Sequence, residues 1–161
     1  LVAKPGQPVW GYNGSGRSPK NLNLQWFIDQ GYKDIPSHGP LPVTVPGTVD
    51  AWFALQKKFG KLPMQQNLAP TIRYARNGHP VAETIAYYWN LSVPRLSKFP
   101  GFTDQMTLNG KAPKKGEMWR NPNLANTLEK ISREGRDGFY KGSTAKTIAD
   151  YIQAQGGFLS A

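Results

Sequence analysis

The sequence predicts a mainly α-helical segment with short strands at its N-terminal end. Three observations lead to that reading. From residue 47 to about residue 156, apolar residues recur at a 3.6-residue period in stretches that carry their own start and stop residues. Before residue 20, the apolar stretches are short and divided by proline and glycine, as in a hairpin. The 161 residues suffice for one hydrophobic core, so the chain reads as one segment, 1–161, with strand and loop over 1–19 and helices over 47–156.

Taken in order, Leu1 to Ala3 and Val9 to Tyr12 are the strand-like stretches, joined by Lys4-Pro5-Gly6-Gln7-Pro8. The loop Asn13-Gly14-Ser15-Gly16-Arg17-Ser18-Pro19 follows. Two glycines around a serine leave backbone N–H groups exposed, so the loop could cradle a carboxylate with Arg17 beside it. A flexible turn bearing a solvated arginine is the alternative. Neither the Walker nor the dinucleotide-binding glycine spacing is present.

Asn21 to Gln30 predicts a short helix closed by Gly31, and Ile35 to Pro46, with four prolines, predicts a surface linker. Val45-Pro46-Gly47 then turns the chain into an amphipathic helix. Thr48 is the expected cap, Val49, Trp52, Phe53 and Phe59 form one face, and Gly60 ends it. Leu62-Pro63 opens a helix through Leu68, which Pro70 is expected to interrupt. A second short helix, Thr71 to Arg76, would end at Asn77-Gly78, with Leu68, Ile72 and Ala75 turned to a core.

Pro80 is expected in the first turn of the next helix, which runs through Val81, Ile85, Tyr88 and Trp89 to Pro94, its aromatic stripe read as core. Ser97 to Glu117 is irregular, with a turn at Thr107-Leu108-Asn109-Gly110-Lys111. Asn121 caps a helix whose first residue is Pro122, whose stripe is Leu124, Ala125, Leu128 and Ile131, and whose end is Gly135. Ser143 is expected to cap the last helix, through Ala145, Ile148, Ala149 and Ile152, before Gly156-Gly157 and the start of an apolar strand.

Twenty basic and ten acidic residues give a formal charge of +10. The lysines and arginines are scattered, and the five Trp and seven Tyr mostly occupy apolar helix positions, which argues against nucleic-acid binding. Without cysteine, disulfides and thiolate chemistry are excluded in this segment, and no apolar run approaches a membrane span. His38 and His79 stand in loops without ligand-spaced Cys or carboxylates, which predicts no metal site. Asp104, Glu117, Glu129, Glu134 and Asp137 form no acid–base pair, and no serine elbow is present, so no catalytic residue and no cofactor is assigned.

Val45-Pro46-Gly47-Thr48-Val49, Tyr74-Ala75-Arg76-Asn77-Gly78 and Asp137-Gly138-Phe139-Tyr140-Lys141-Gly142 occur in this order, with Asn121-Pro122-Asn123-Leu124-Ala125-Asn126-Thr127-Leu128 between the last two. The series resembles the large-subunit region of the γ-glutamyltranspeptidase family, from about Val9 to the C-terminus. The resemblance implies that this is an internal piece of a longer precursor with the α/β fold of N-terminal-nucleophile hydrolases. It implies a zymogen that cleaves itself, after which a threonine C-terminal to Ala161 becomes the nucleophile with its own α-amine as base. The implied partners are the small subunit of the same precursor and a small-molecule γ-glutamyl or acyl-amide substrate such as glutathione. Periplasmic or secreted location is implied too.

For substrate contacts, the resemblance points to Arg17, Ser15 and Gly16. The family carries an Arg-Glu-x-Ala-Pro motif here, whose arginine binds the substrate α-carboxylate. Matched at Pro19, Ser15 and Gly16 take the Arg and Glu positions and Arg17 falls two residues later, so the loop is more similar to the γ-glutamyltranspeptidase-like and acylase branch. The resemblance implies that these residues alone are inactive. A free-standing basic helical module for an anionic partner is the alternative reading.

Overall fold

A computed structural model describes residues 1–161. Its elements are α1 (Leu24–Asp29), α2 (Thr48–Phe59), α3 (Met64–Asn77), β1 (His79–Pro80), α4 (Glu83–Leu96), α5 (Phe102–Met106), β2 (Met118–Trp119), α6 (Pro122–Glu134), α7 (Asp137–Tyr140) and α8 (Gly142–Ala154). They fall into two units, Leu1–Met64 with Glu134–Ala161, and Gln65–Arg133.

The first unit buries Phe27, Val49, Ala149 and Leu159. Around Phe27, the Trp26 ring meets Phe158 edge-on at 5.0 Å and lies roughly parallel to Tyr32 at 6.0 Å. Asn23 caps α1 by accepting the Trp26 N–H at 2.9 Å. The predicted N-terminal strands reduce to one bridge, in which Val2 and Trp10 exchange backbone bonds of 2.7 and 2.9 Å. Proline at 5 and 8 removes donors on both sides of the turn, so the ladder cannot lengthen. Trp10 is held by packing instead, its ring edge-on to Phe59 at 5.0 Å beneath the Lys58 ammonium at 4.4 Å.

At the C-terminal end the expected strand does not form. Leu159 is buried and its carbonyl accepts from the Gln153 amide at 2.6 Å, but no strand pairs with 157–161. Extended chain becomes a strand only with a hydrogen-bonding neighbour. Ser143 is not the cap of α8 either. The helix begins at Gly142, whose φ of 62° follows the extended Lys141.

The second unit is built on Leu68, Val81, Ala125, Leu128 and Ile131. Pro70 does not divide the helix there. α3 is continuous through it, because Leu68, Ile72 and Ala75 form a single inward stripe whose burial outweighs one lost backbone bond. Pro94 likewise lies inside α4, which continues until the Ser97 N–H bonds Val93 O at 2.9 Å. Pro80 belongs to no helix. It pairs with Met118 in an antiparallel two-stranded ribbon in which His79 faces Trp119, a position that needs no inward N–H.

The aromatic stripe of α4 is not core in this unit. Trp89 packs edge-on against Trp119 at 4.7 Å and donates to Met106 O at 2.8 Å, but Ile85, Tyr87, Tyr88 and Leu91 are exposed. Periodicity reports an apolar face; what covers it is a tertiary matter. Leu124 is exposed too, one position outside the buried stripe of α6.

The stretch 97–117, expected to be irregular, contains the short helix α5, while other local signals hold. Asn121 Oδ1 accepts the Leu124 N–H at 2.9 Å ahead of Pro122, and Gly135 adopts a φ of 71° after α6. Asn109 and Gly110, at φ 53° and 78°, turn the chain between bridged Leu108 and Lys111. No helix is long and apolar enough to cross a membrane.

Two motifs identified in the sequence meet in this unit. The Ala75 carbonyl accepts the Asn121 N–H at 2.8 Å, Arg76 pairs with Glu129 at 2.7 Å and donates to Asn126 at 3.0 Å, and Arg120 donates to Asn77 O at 3.0 Å. Tyr74–Gly78 is therefore the clasp that docks the end of α3 onto the start of α6.

Candidate functional site

The loop from Asn13 to Pro19 lies against the turn that begins α2. Val45 N–H donates to Arg17 O at 3.0 Å. The approach is so close that side chains have no room: a Cβ on Gly16 would fall on the Val45 carbonyl oxygen, and one on Gly47 on the Gly14 carbonyl oxygen. A Cβ on Gly14 would come within 2.9 Å of Ala51 Cβ. Close contact, with backbone at 16 and 47 and with the Ala51 side chain at 14, requires glycine there more than freedom of φ does.

Ser15 N–H is occupied by Asn13 Oδ1 at 3.0 Å, while the Gly14 and Gly16 amides on either side of it have no acceptor within the chain. Ser15 and Arg17 are exposed, Gly16 partly so. The Arg17 guanidinium makes no hydrogen bond or ion pair within the chain. It is a cation on an anchored backbone, free to meet an external anion. Directly after it, Ser18 and Pro19 border an apolar cavity of about 370 Å3, lined further by Leu22, Phe27, Ile35 and Val43.

Beneath the loop is a polar cluster that sequence reasoning missed. The Tyr140 hydroxyl donates to Pro46 O at 2.5 Å and accepts the Asp50 N–H at 3.0 Å. Thr48, the expected cap of α2, makes no capping bond; a free amide of the first turn is satisfied by a tyrosine ninety positions away in sequence. The Asp50 carboxylate accepts from Tyr12 Oη at 2.8 Å and from Arg136 Nε, while the Arg136 guanidinium stacks over the Tyr140 ring at 4.5 Å. The Arg136 bond, then the Tyr12 bond, hold the Asp50 carboxyl below its ordinary pKa; the bond to Asp50 raises the Tyr12 phenol and the Arg136 guanidinium. Tyr140 lies in a motif noted above, and Asp50 directly follows another. Arg136 and Tyr12 lie outside them, and nothing local marks their pairing.

The remaining titratable residues do not converge. No three His, Cys, Asp or Glu side chains gather where a metal could be held. His79 packs near the Tyr74 ring at 6.2 Å, and Asp137 pairs with Lys141 at 2.8 Å.

Residues 1–161 match the family described as Gamma-glutamyltranspeptidase. The chain is similar to the glutathione hydrolase-like YwrD proenzyme of Bacillus subtilis, 37% identical over 150 residues that make up 92% of this chain and 28% of that protein. In three dimensions it is similar to a cephalosporin acylase from Bacillus halodurans, with a TM-score of 0.85 and 38% identity over 92% of this chain and 29% of the other. The γ-glutamyltranspeptidase of Helicobacter pylori gives a TM-score of 0.85 at 26% identity, covering 91% and 43%. The chain thus spans less than a third of the Bacillus subtilis relative.

Proposed function

This chain belongs to the γ-glutamyltranspeptidase family, and from that membership we propose that it is large-subunit sequence of an enzyme that hydrolyses or transfers a γ-glutamyl or related acyl group. The threonine nucleophile is supplied by the small subunit released from the same precursor, whose intact fold is of the α/β N-terminal-nucleophile type. These residues contribute wall and substrate contacts. The relatives named proenzyme support self-processing, and the acylase and glutathione hydrolase names among them support an amide-linked acyl donor.

The observation that carries the assignment is the unpaired Arg17 guanidinium on a loop whose backbone is fixed. A guanidinium offers a two-pronged match to a carboxylate, and such charged hydrogen bonds contribute about 1.5–3 kcal/mol each. The Gly16 amide and the Ser15 hydroxyl supplement it. In the full-length enzyme, Arg17→Ala should lower kcat/KM for a carboxylate-bearing donor by roughly one to two orders of magnitude while leaving processing intact. Unchanged kcat/KM would make the loop structural and favour a donor without that carboxylate. The basic-module alternative gains no support from the polar cluster, which consumes Arg136 internally.

A further inference from the structure

We propose that Tyr140, together with the Asp50–Arg136 ion pair and Tyr12, is the positioning device of the substrate loop: it sets where Arg17 stands without touching the substrate. The proposal rests on the reading of Arg17 given above.

The loop is tied down at both ends. Before it, Tyr12 donates to the Asp50 carboxylate at 2.8 Å; after Gly16, the Arg17 carbonyl accepts the Val45 N–H at 3.0 Å. Both ties end on one short stretch, Val45 to Asp50. Tyr140 spans that stretch, with one hydroxyl bonded to Pro46 O at 2.5 Å and to the Asp50 N–H at 3.0 Å. Arg136 completes the bracing, since it binds the Asp50 side chain and covers the Tyr140 ring at 4.5 Å.

Between the ties, Gly14 and Gly16 touch the turn backbone with no side-chain padding. Any shift of Val45–Asp50 therefore passes to the loop. The Arg17 side chain has no partner of its own to correct such a shift. Its position is whatever the backbone dictates, and a displacement of the order of an ångström is enough to lower the productive fraction of a bidentate contact.

Tyr140→Phe tests this, because it deletes both hydroxyl bonds and keeps the ring under Arg136. In the full-length enzyme it should raise KM for a carboxylate-bearing γ-glutamyl donor about tenfold, with kcat and processing near wild type, the effect of losing roughly one net hydrogen bond. Combined with Arg17→Ala, it should add little, because it acts through Arg17. Amide hydrogen exchange of the same protein should quicken about tenfold at Val45 and Asp50 and stay unchanged at Leu128 in α6. Asp50→Asn, which keeps the shape and loses the ion pair, gives a second variant with the same readouts.

Unchanged exchange at Val45 and Asp50 would overturn the bracing. Faster exchange with a KM defect fully additive to that of Arg17→Ala, or with a loss in kcat alone, would overturn the positioning role. An unchanged kcat/KM in Arg17→Ala overturns the reading of Arg17, and this proposal with it, even where exchange still reports the bracing.

Discussion

Replacing Gly16 by alanine puts the close approach of the two loops to a direct test. The added Cβ would coincide with the Val45 carbonyl oxygen, which is backbone and cannot rotate away. Either the loop or the turn must retreat. Retreat breaks the Val45 N–H bond to Arg17 O, about 1 kcal/mol net, and local overpacking costs typically ~1–3 kcal/mol. Alanine also restricts the unfolded chain, which returns about 0.4–1 kcal/mol. The balance is a destabilisation of about 2 kcal/mol, or about 4–8 °C in Tm for a domain of this size. Gly11→Ala is the internal control. Its Cβ would meet only Leu1 Cδ2 at 3.2 Å, the end of an exposed side chain that can turn aside, so the cost should stay within about 0.5 kcal/mol. Urea or thermal unfolding of both variants beside the parent decides it. Equal stability of Gly16→Ala and Gly11→Ala would refute the contact, and with it the claim that glycine at 16 serves packing.

Asn121→Ala should destabilise α6 by about 1 kcal/mol, through loss of its bond to the Leu124 N–H, measurable by urea titration; no change would show the cap to be redundant with Pro122. The ion pair of Asp50 gives a pH prediction. Because its folded pKa is lowered, chiefly by Arg136, the unfolded chain binds the extra proton first, so the pair's contribution is present above the ordinary carboxylate pKa of about 3.9 and fades as pH falls through the folded value. With both side chains roughly half exposed, that contribution is no more than about 1 kcal/mol. The stability gap between parent and Asp50→Asn should narrow from pH 7 to pH 2, and a gap independent of pH would remove the charge from the account.

The sequence by itself determined the helical segments after residue 46, the stripes Leu68-Ile72-Ala75 and Ala125-Leu128-Ile131, the Asn121 cap, the Gly135 stop and the turn at Asn109-Gly110. Each of these depends on interactions within about four residues, so the chain states them locally. The ordered motifs also carried the family. Tertiary structure alone decided the rest. Pro70 stays inside α3 because packing of a continuous face outweighs a local penalty, and Pro94 lies inside α4 although that helix fully buries no residue. The strand signals near both ends stay unpaired, or nearly so, because a ladder needs a neighbour that periodicity cannot supply. At the candidate site, the sequence identified Arg17 and the glycines. It could not reveal that Tyr140 caps α2 in place of Thr48, or that Arg136 neutralises Asp50, because those contacts join residues 90 and 86 positions apart and only the folded chain brings them within hydrogen-bonding distance.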